Sequence, residues 1–188
     1  QHEIGTHLIT YYNGRAQPFR QLDCGLAGYD ALQEGLAVLS EALVDGLSPS
    51  RMRLLAARVW ATEQMIRGAT FVDTFRALCR EHGFPRRQAF TLTTRIYRAG
   101  GLTKDIVYLR GLVEIMKYLR EGGELEPLFV GKIAAEHVPL MRELQLRKVL
   151  RPAPRRPRYL DNPRTIAKLD RFRQEVPIRD LVSEGRSR

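Results

Sequence analysis

Helix start and stop signals cut this chain into a succession of segments of helical length, and that punctuation limits it to a mainly helical fold. Ser48-Pro49 pairs an N-cap residue with a proline at the first turn, and Asn162-Pro163 repeats the device. Thr70 sits before Phe71, Val72, Phe75, Leu78 and Cys79, which recur at i, i+1, i+4, i+7 and i+8. Pro85 opens a further segment toward Arg98, broken at Gly100-Gly101. Thr103 is placed to cap a long one from Ile106 to Leu119, closed by Gly122-Gly123. Earlier, an opening helix is expected to stop at Asn13-Gly14, and a second to run from about Asp30 to Val44. Leu128-Phe129-Val130, bounded by Pro127 and Gly131, reads as a short strand, and Pro139 starts a helix toward Leu150. Pro152, Pro154 and Pro157 mark an extended stretch, and Ser183 to Arg188 reads as a frayed end.

The expected fold is therefore mainly α with a few short strands, becoming α+β if upstream residues add a sheet. Residues 1–160 form the expected catalytic body and 161–188 a basic helix and tail. The chain opens on Gln1-His2-Glu3, with no initiating Met, so it reads as the C-terminal part of a longer protein. Neither a signal peptide nor an apolar run of the ~20 residues needed to span a bilayer is present. Two isolated cysteines, Cys24 and Cys79, fit a reducing cytoplasm, and Cys79 falls on a core-facing helix position. The formal charge is +10, with 31 Lys and Arg against 21 Asp and Glu, which favours acidic partners. Much of the excess lies late, in Arg147-Lys148, Arg151, Arg155-Arg156 and Arg158, where a solvated face is the plainer explanation.

Chemistry concentrates at the first residues. Two histidines at i and i+4 with a glutamate between them form a zinc-peptidase signature, because both imidazoles then share one helical face. Here His2 and His7 stand at i and i+5, about 140° apart on a regular helix at roughly 100° per residue. A single π-type turn brings them back to one face, and such turns occur mostly at functional sites. Gly5 and Thr6, both weak helix formers, lie inside the interval. A catalytic zinc usually takes three protein ligands, and two histidines with a glutamate are an established set. Glu34 lies on the next predicted helix, ahead of apolar Leu36, Ala37, Val38 and Leu39. Periodicity alone leaves open whether it faces solvent or turns inward to a cation.

His2-Glu3-Ile4-Gly5-Thr6-His7, followed on the next predicted helix by Gln33-Glu34-Gly35-Leu36-Ala37, resembles the QEGLA-motif proteins of bacteria, sometimes labelled flavohaemoglobin-expression modulators. It is also similar to their eukaryotic relatives, the microtubule-associated tyrosine carboxypeptidases. Further matching stretches are Arg95 to Gly101, Thr103 to Leu109, Leu128 to Ile133 and Arg156 to Leu160, so the resemblance covers about residues 1 to 160. It implies His2, His7 and Glu34 as ligands of a Zn2+ cofactor and Glu3 as the catalytic carboxylate. The eukaryotic relatives remove a C-terminal tyrosine from the acidic tail of α-tubulin; the bacterial ones bring no substrate with them. The implied function is a zinc-dependent, carboxypeptidase-like metallopeptidase acting on a peptide or protein C-terminus.

Such an enzyme needs a cation for the substrate's terminal carboxylate, for which Arg98, Lys104 and Lys132 are candidates, and an oxyanion donor, for which Tyr108 and Tyr159 are candidates. Each has a plainer role as a surface cation or a packed phenol. His82 at a helix end and His137 before a proline-started helix are not assigned to the metal. Two other functions remain open at this point: a catalytically silent zinc-binding regulator, and a basic helical nucleic-acid-binding protein. The second lacks any recognised binding motif.

Overall fold

The computed structural model describes residues 1–98 and 104–182. The expected Gly100-Gly101 break, the Thr103 cap and the frayed end at 183–188 lie outside the described residues. Helix dominates, and no strand occurs among the described residues. The chain opens with a π-helix, Glu3–Leu8, that runs directly into α1 (Ile9–Arg15). A short α2 (Gln21–Cys24) interrupts the loop before α3 (Tyr29–Leu43). There follow α4 (Pro49–Ile66), α5 (Phe71–Arg80), α6 (Arg86–Tyr97), α7 (Val107–Arg120), α8 (Val138–Leu146) and α9 (Pro163–Phe172).

The predicted starts are realised in hydrogen bonds. Ser48 accepts from the Arg51 N–H, Asn162 accepts from the Arg164 N–H, and Thr70 and Asp73 form a reciprocal capping box. Asn13-Gly14 does not stop the first helix. The buried Asn13 amide donates to the carbonyls of Phe129 (2.8 Å) and Arg155 (2.9 Å) and accepts from the Arg155 N–H (3.0 Å). One turn on, Gln17 donates to the Arg151 carbonyl (3.1 Å) and accepts from the Arg151 N–H (2.9 Å). Two amide side chains thus stand in for a partner strand along the proline-rich stretch, which has few N–H groups of its own.

The strand expected at Leu128-Phe129-Val130 is instead the end of a 3₁₀ turn, Glu126–Phe129, with Pro127 in its first positions. All three apolar side chains are buried. With no strand among the described residues to pair with, the backbone satisfies itself locally, as in the Leu128 N–H donating to the Leu125 carbonyl (3.0 Å). Helix α8 ends at Leu146, short of Leu150, where Lys148 takes a left-handed φ of 57°.

The main core gathers around α3 and α7, the principal helix pair, with Leu32, Leu36, Leu39, Leu112, Ile115 and Leu119 among its fully buried side chains. The two helices meet at Gly35 and Gly111. A Cβ on Gly111 would collide with the Ala31 carbonyl, and one on Gly35 with the Gly111 backbone, so only glycines allow this approach. Phe172 at the end of α9 and Leu181 are buried in the same core. A second, smaller core joins α4, α5 and α6 through Ala61, Leu78, Ala89, Leu92 and Ile96, with Cys79 packed at its edge. No described helix is long and apolar enough to cross a membrane.

Candidate metal centre

The π-helix resolves the spacing problem of the opening motif. Widening by one residue puts His2 and His7 on the same side, their ring centroids 5.1 Å apart and nearly perpendicular at 78°. Behind it, Gly5 and Thr6 are buried, and Thr10 carries its hydroxyl to the region where the loosened turn leaves carbonyls of Thr6 and His7 within reach, both at 3.1 Å.

Both imidazoles face Glu34 on α3. Its Oε2 lies 3.4 Å from His2 Nε2 and 3.7 Å from His7 Nε2. Among the described residues, His2, His7 and Glu34 form the one group of three side chains able to hold a metal ion, with ligand atoms all within 4.8 Å of one another. Glu34 Oε2 is buried and has no hydrogen-bond partner. A buried carboxylate oxygen facing two imidazoles without a hydrogen bond suits a cation between them.

The other nitrogen of each ring is held by the same helix. His2 Nδ1 lies 2.8 Å from Glu41 Oε1, and His7 Nδ1 lies 3.4 Å from Gln33 Oε1, which also accepts from the Thr10 hydroxyl at 2.7 Å. With Nδ1 of each ring held by these oxygens, it is Nε2 that both imidazoles turn toward Glu34. Arg51 on α4 in turn steadies Glu41, Nε to Oε2 at 3.3 Å. Glu41 was not singled out in the sequence and Gln33 only as part of the matching motif, although Glu41 falls two helical turns beyond Glu34 on the same face and Gln33 directly precedes it.

Electrostatics match this arrangement. Contact with Glu34 and then Glu41 raises the His2 pKa to about 9, against the opposing effect of burial. For Glu34, burial pushes upward, but His2 and His7 outweigh it and the pKa falls to about 2. Glu41 is likewise lowered, burial being overcome by His2 and Arg51. The pocket attracts positive charge, and a proton on His2 is the charge it holds without an ion.

Of the remaining predicted site residues, Glu3 is exposed on the first turn of the π-helix. Tyr108, at the start of α7, stacks on the His2 ring at a centroid distance of 6.3 Å and an interplanar angle of 28°. Burial, then the Glu34 charge, raises its pKa, while Arg95 and Arg58 act in the opposite direction. Tyr159 is buried under the π-helix against Gly5, where its phenol is pushed up by burial. Lys132 Nζ lies over the rings of Tyr11 (5.5 Å) and Tyr29 (5.9 Å). Arg98 and Lys104 are exposed, and no hydrogen bond or ion pair among the described residues joins either to the histidines or Glu34. His82 packs against Trp60 at 4.4 Å, and His137 Nδ1 accepts from the Ala134 N–H at 3.1 Å, so neither serves the group.

Among curated proteins none matches the chain. Residues 1–176, nearly the whole chain and all of the elements just described up to the end of α9, match the family described as microtubule-associated tyrosine carboxypeptidase. The chain belongs to this carboxypeptidase family.

Proposed function

We propose that this chain is a zinc-dependent metallopeptidase that removes a residue from the C-terminus of a peptide or protein. The observation that carries the reading is the convergence of His2 Nε2, His7 Nε2 and Glu34 Oε2, with both Nδ1 atoms tied back to α3. Two neutral imidazoles and a carboxylate are a common catalytic zinc set, which leaves a position open for water. When bound, zinc would lower the pKa of that water toward neutrality and polarise the scissile carbonyl.

The chain's own residues supply the rest. His2, His7 and Glu34 would hold the ion, while Glu41 and Gln33 keep each imidazole in the tautomer that leaves Nε2 free. Glu3, next to His2 in the chain and exposed, takes the proton of the attacking water as general base and passes it to the leaving amine. Tyr108, stacked on His2, lines the approach and can donate its hydroxyl to developing negative charge, since its raised pKa keeps it protonated.

The family's name supplies the substrate class, a C-terminal tyrosine, and the +10 charge of this chain favours an acidic peptide. Two free thiols suit a reducing cytoplasm.

Zinc stoichiometry tests the foundation. Wild type should bind one equivalent at neutral pH, and His2→Ala, His7→Ala and Glu34→Ala should each lose it. Glu3→Gln should keep zinc and lose about 10²–10⁴-fold in turnover. Folded wild type that binds no zinc would remove the reading.

A further inference from the structure

A carboxypeptidase must hold the free carboxylate of its substrate, so the following inference rests on the function proposed above. For removal of one residue, that carboxylate stands only about 3.5 Å along the chain from the scissile carbonyl. Its counter-charge must therefore sit within one side chain's reach of the His2–His7–Glu34 group.

Arg58, in the middle of α4, packs against a ring that adjoins this group. Its guanidinium lies 5.7 Å from the centroid of the Tyr108 ring, and that ring is the one stacked on His2. Arg58 and the candidate metal centre thus share one aromatic neighbour. The Arg58 side chain is only 14% exposed, yet among the described residues it makes no hydrogen bond. Its ion-pair partner, Asp105, is shared: Oδ1 accepts from Arg95 Nε at 2.6 Å and lies 3.7 Å from Arg58 Nη1, beyond hydrogen-bonding reach. A guanidinium carries five N–H donors, and one long ion pair to a shared carboxylate oxygen leaves this one able to take a second anion.

The neighbourhood is short of negative charge. Burial, Arg95 and Arg51 all press the Arg58 pKa downward, and only Asp105 and Tyr108 oppose them. Lys132, by contrast, already has two aromatic faces beneath its ammonium, and Arg98 and Lys104 point from exposed positions.

We infer that Arg58 receives the C-terminal carboxylate of the peptide substrate, with Tyr108 as the aromatic neighbour that it shares with the metal centre. A planar guanidinium can take both carboxylate oxygens in parallel, which a lysine cannot.

The test uses an N-blocked acidic hexapeptide ending in tyrosine, as free acid and as C-terminal amide. Cleavage is measured with zinc-loaded protein, and binding of the same peptides by calorimetry with metal-free protein. Wild type should prefer the free acid in both. Arg58→Gln should lose about 100-fold in kcat/KM on the free acid, mostly through KM, and at least about tenfold in binding it, with no change on the amide. Arg58→Lys, which keeps the charge over Tyr108, should recover part of the loss and serves if the Gln variant does not fold. A preference for the free acid that survives in Arg58→Gln, or that disappears only in Lys132→Ala, overturns the assignment. Wild type that cleaves neither peptide while holding zinc defeats the carboxypeptidase reading alone, and the binding comparison then decides Arg58 by itself.

Discussion

His2 Nδ1 lies 2.8 Å from Glu41 Oε1, so the first imidazole of the candidate metal centre is oriented by a carboxylate two turns along the helix that supplies Glu34. A carboxylate behind a ligating histidine fixes the ring and raises its basicity.

Loss of that support should weaken metal binding without abolishing it. We expect Glu41→Ala to lower zinc affinity about 10–100-fold, and Glu41→Gln less, because its amide oxygen can still accept from Nδ1–H. Competition with a chelator measures both. Equal affinities in wild type and Glu41→Ala would show that the contact does not orient the ligand.

The Gly35–Gly111 crossing should tolerate no side chain. Gly35→Ala or Gly111→Ala forces apart the two helices that carry Glu34 and Tyr108. The expected cost is about 2–4 kcal/mol, or a melting temperature lower by about 5–10 °C. Thermal melts read it directly, and an unchanged transition would contradict the close approach.

The Asn13 clamp should matter far more than a helix-terminal asparagine would. Asn13→Ala leaves the Phe129 and Arg155 carbonyls and the Arg155 N–H without their partner. We expect a loss of about 2–3 kcal/mol in chemical denaturation, and Asn13→Asp should cost more because it sets an acceptor against two carbonyls. Faster proteolytic cutting at 151–157 should accompany it.

Stability of the metal-free protein should fall on both sides of a plateau. Glu34, with a pKa of about 2 against an ordinary 4.5, stabilises the fold above pH 4.5, and that contribution is lost as pH falls toward 2. His2, raised from 6.5 to about 9, stabilises it below pH 6.5, and that contribution is lost as pH rises through 9. Zinc should reverse the upper limb, because His2 must shed its proton to bind, so zinc affinity should climb between pH 6.5 and 9. Denaturation midpoints with chelator present should decline across that window in wild type and stay level in His2→Ala.

The residues themselves determined the helical segmentation, because caps, glycines and apolar periodicity are local: Ser48, Thr70 and Asn162 each bond within three residues of themselves. They also determined that the turn from His2 to His7 must widen if the two imidazoles are to act together, since one residue's rotation is a matter of helix geometry alone; the π-helix is that widening. The partners of those imidazoles were decided only by tertiary packing. Glu41 lies 39 residues from His2 and Gln33 lies 26 from His7, and neither periodicity nor spacing specifies such pairs. The same holds for Asn13, whose partners lie 116 and 142 residues away and carry the first helix past its expected stop. Leu128 to Val130 read as a strand because apolarity signals burial without saying what covers it; with no strand among the described residues to pair with, the backbone closed into a 3₁₀ turn. Arg58 had no mark in the sequence that sets it apart from the other arginines of α4. It became distinctive only when the approach of α7 set Tyr108 against both it and His2.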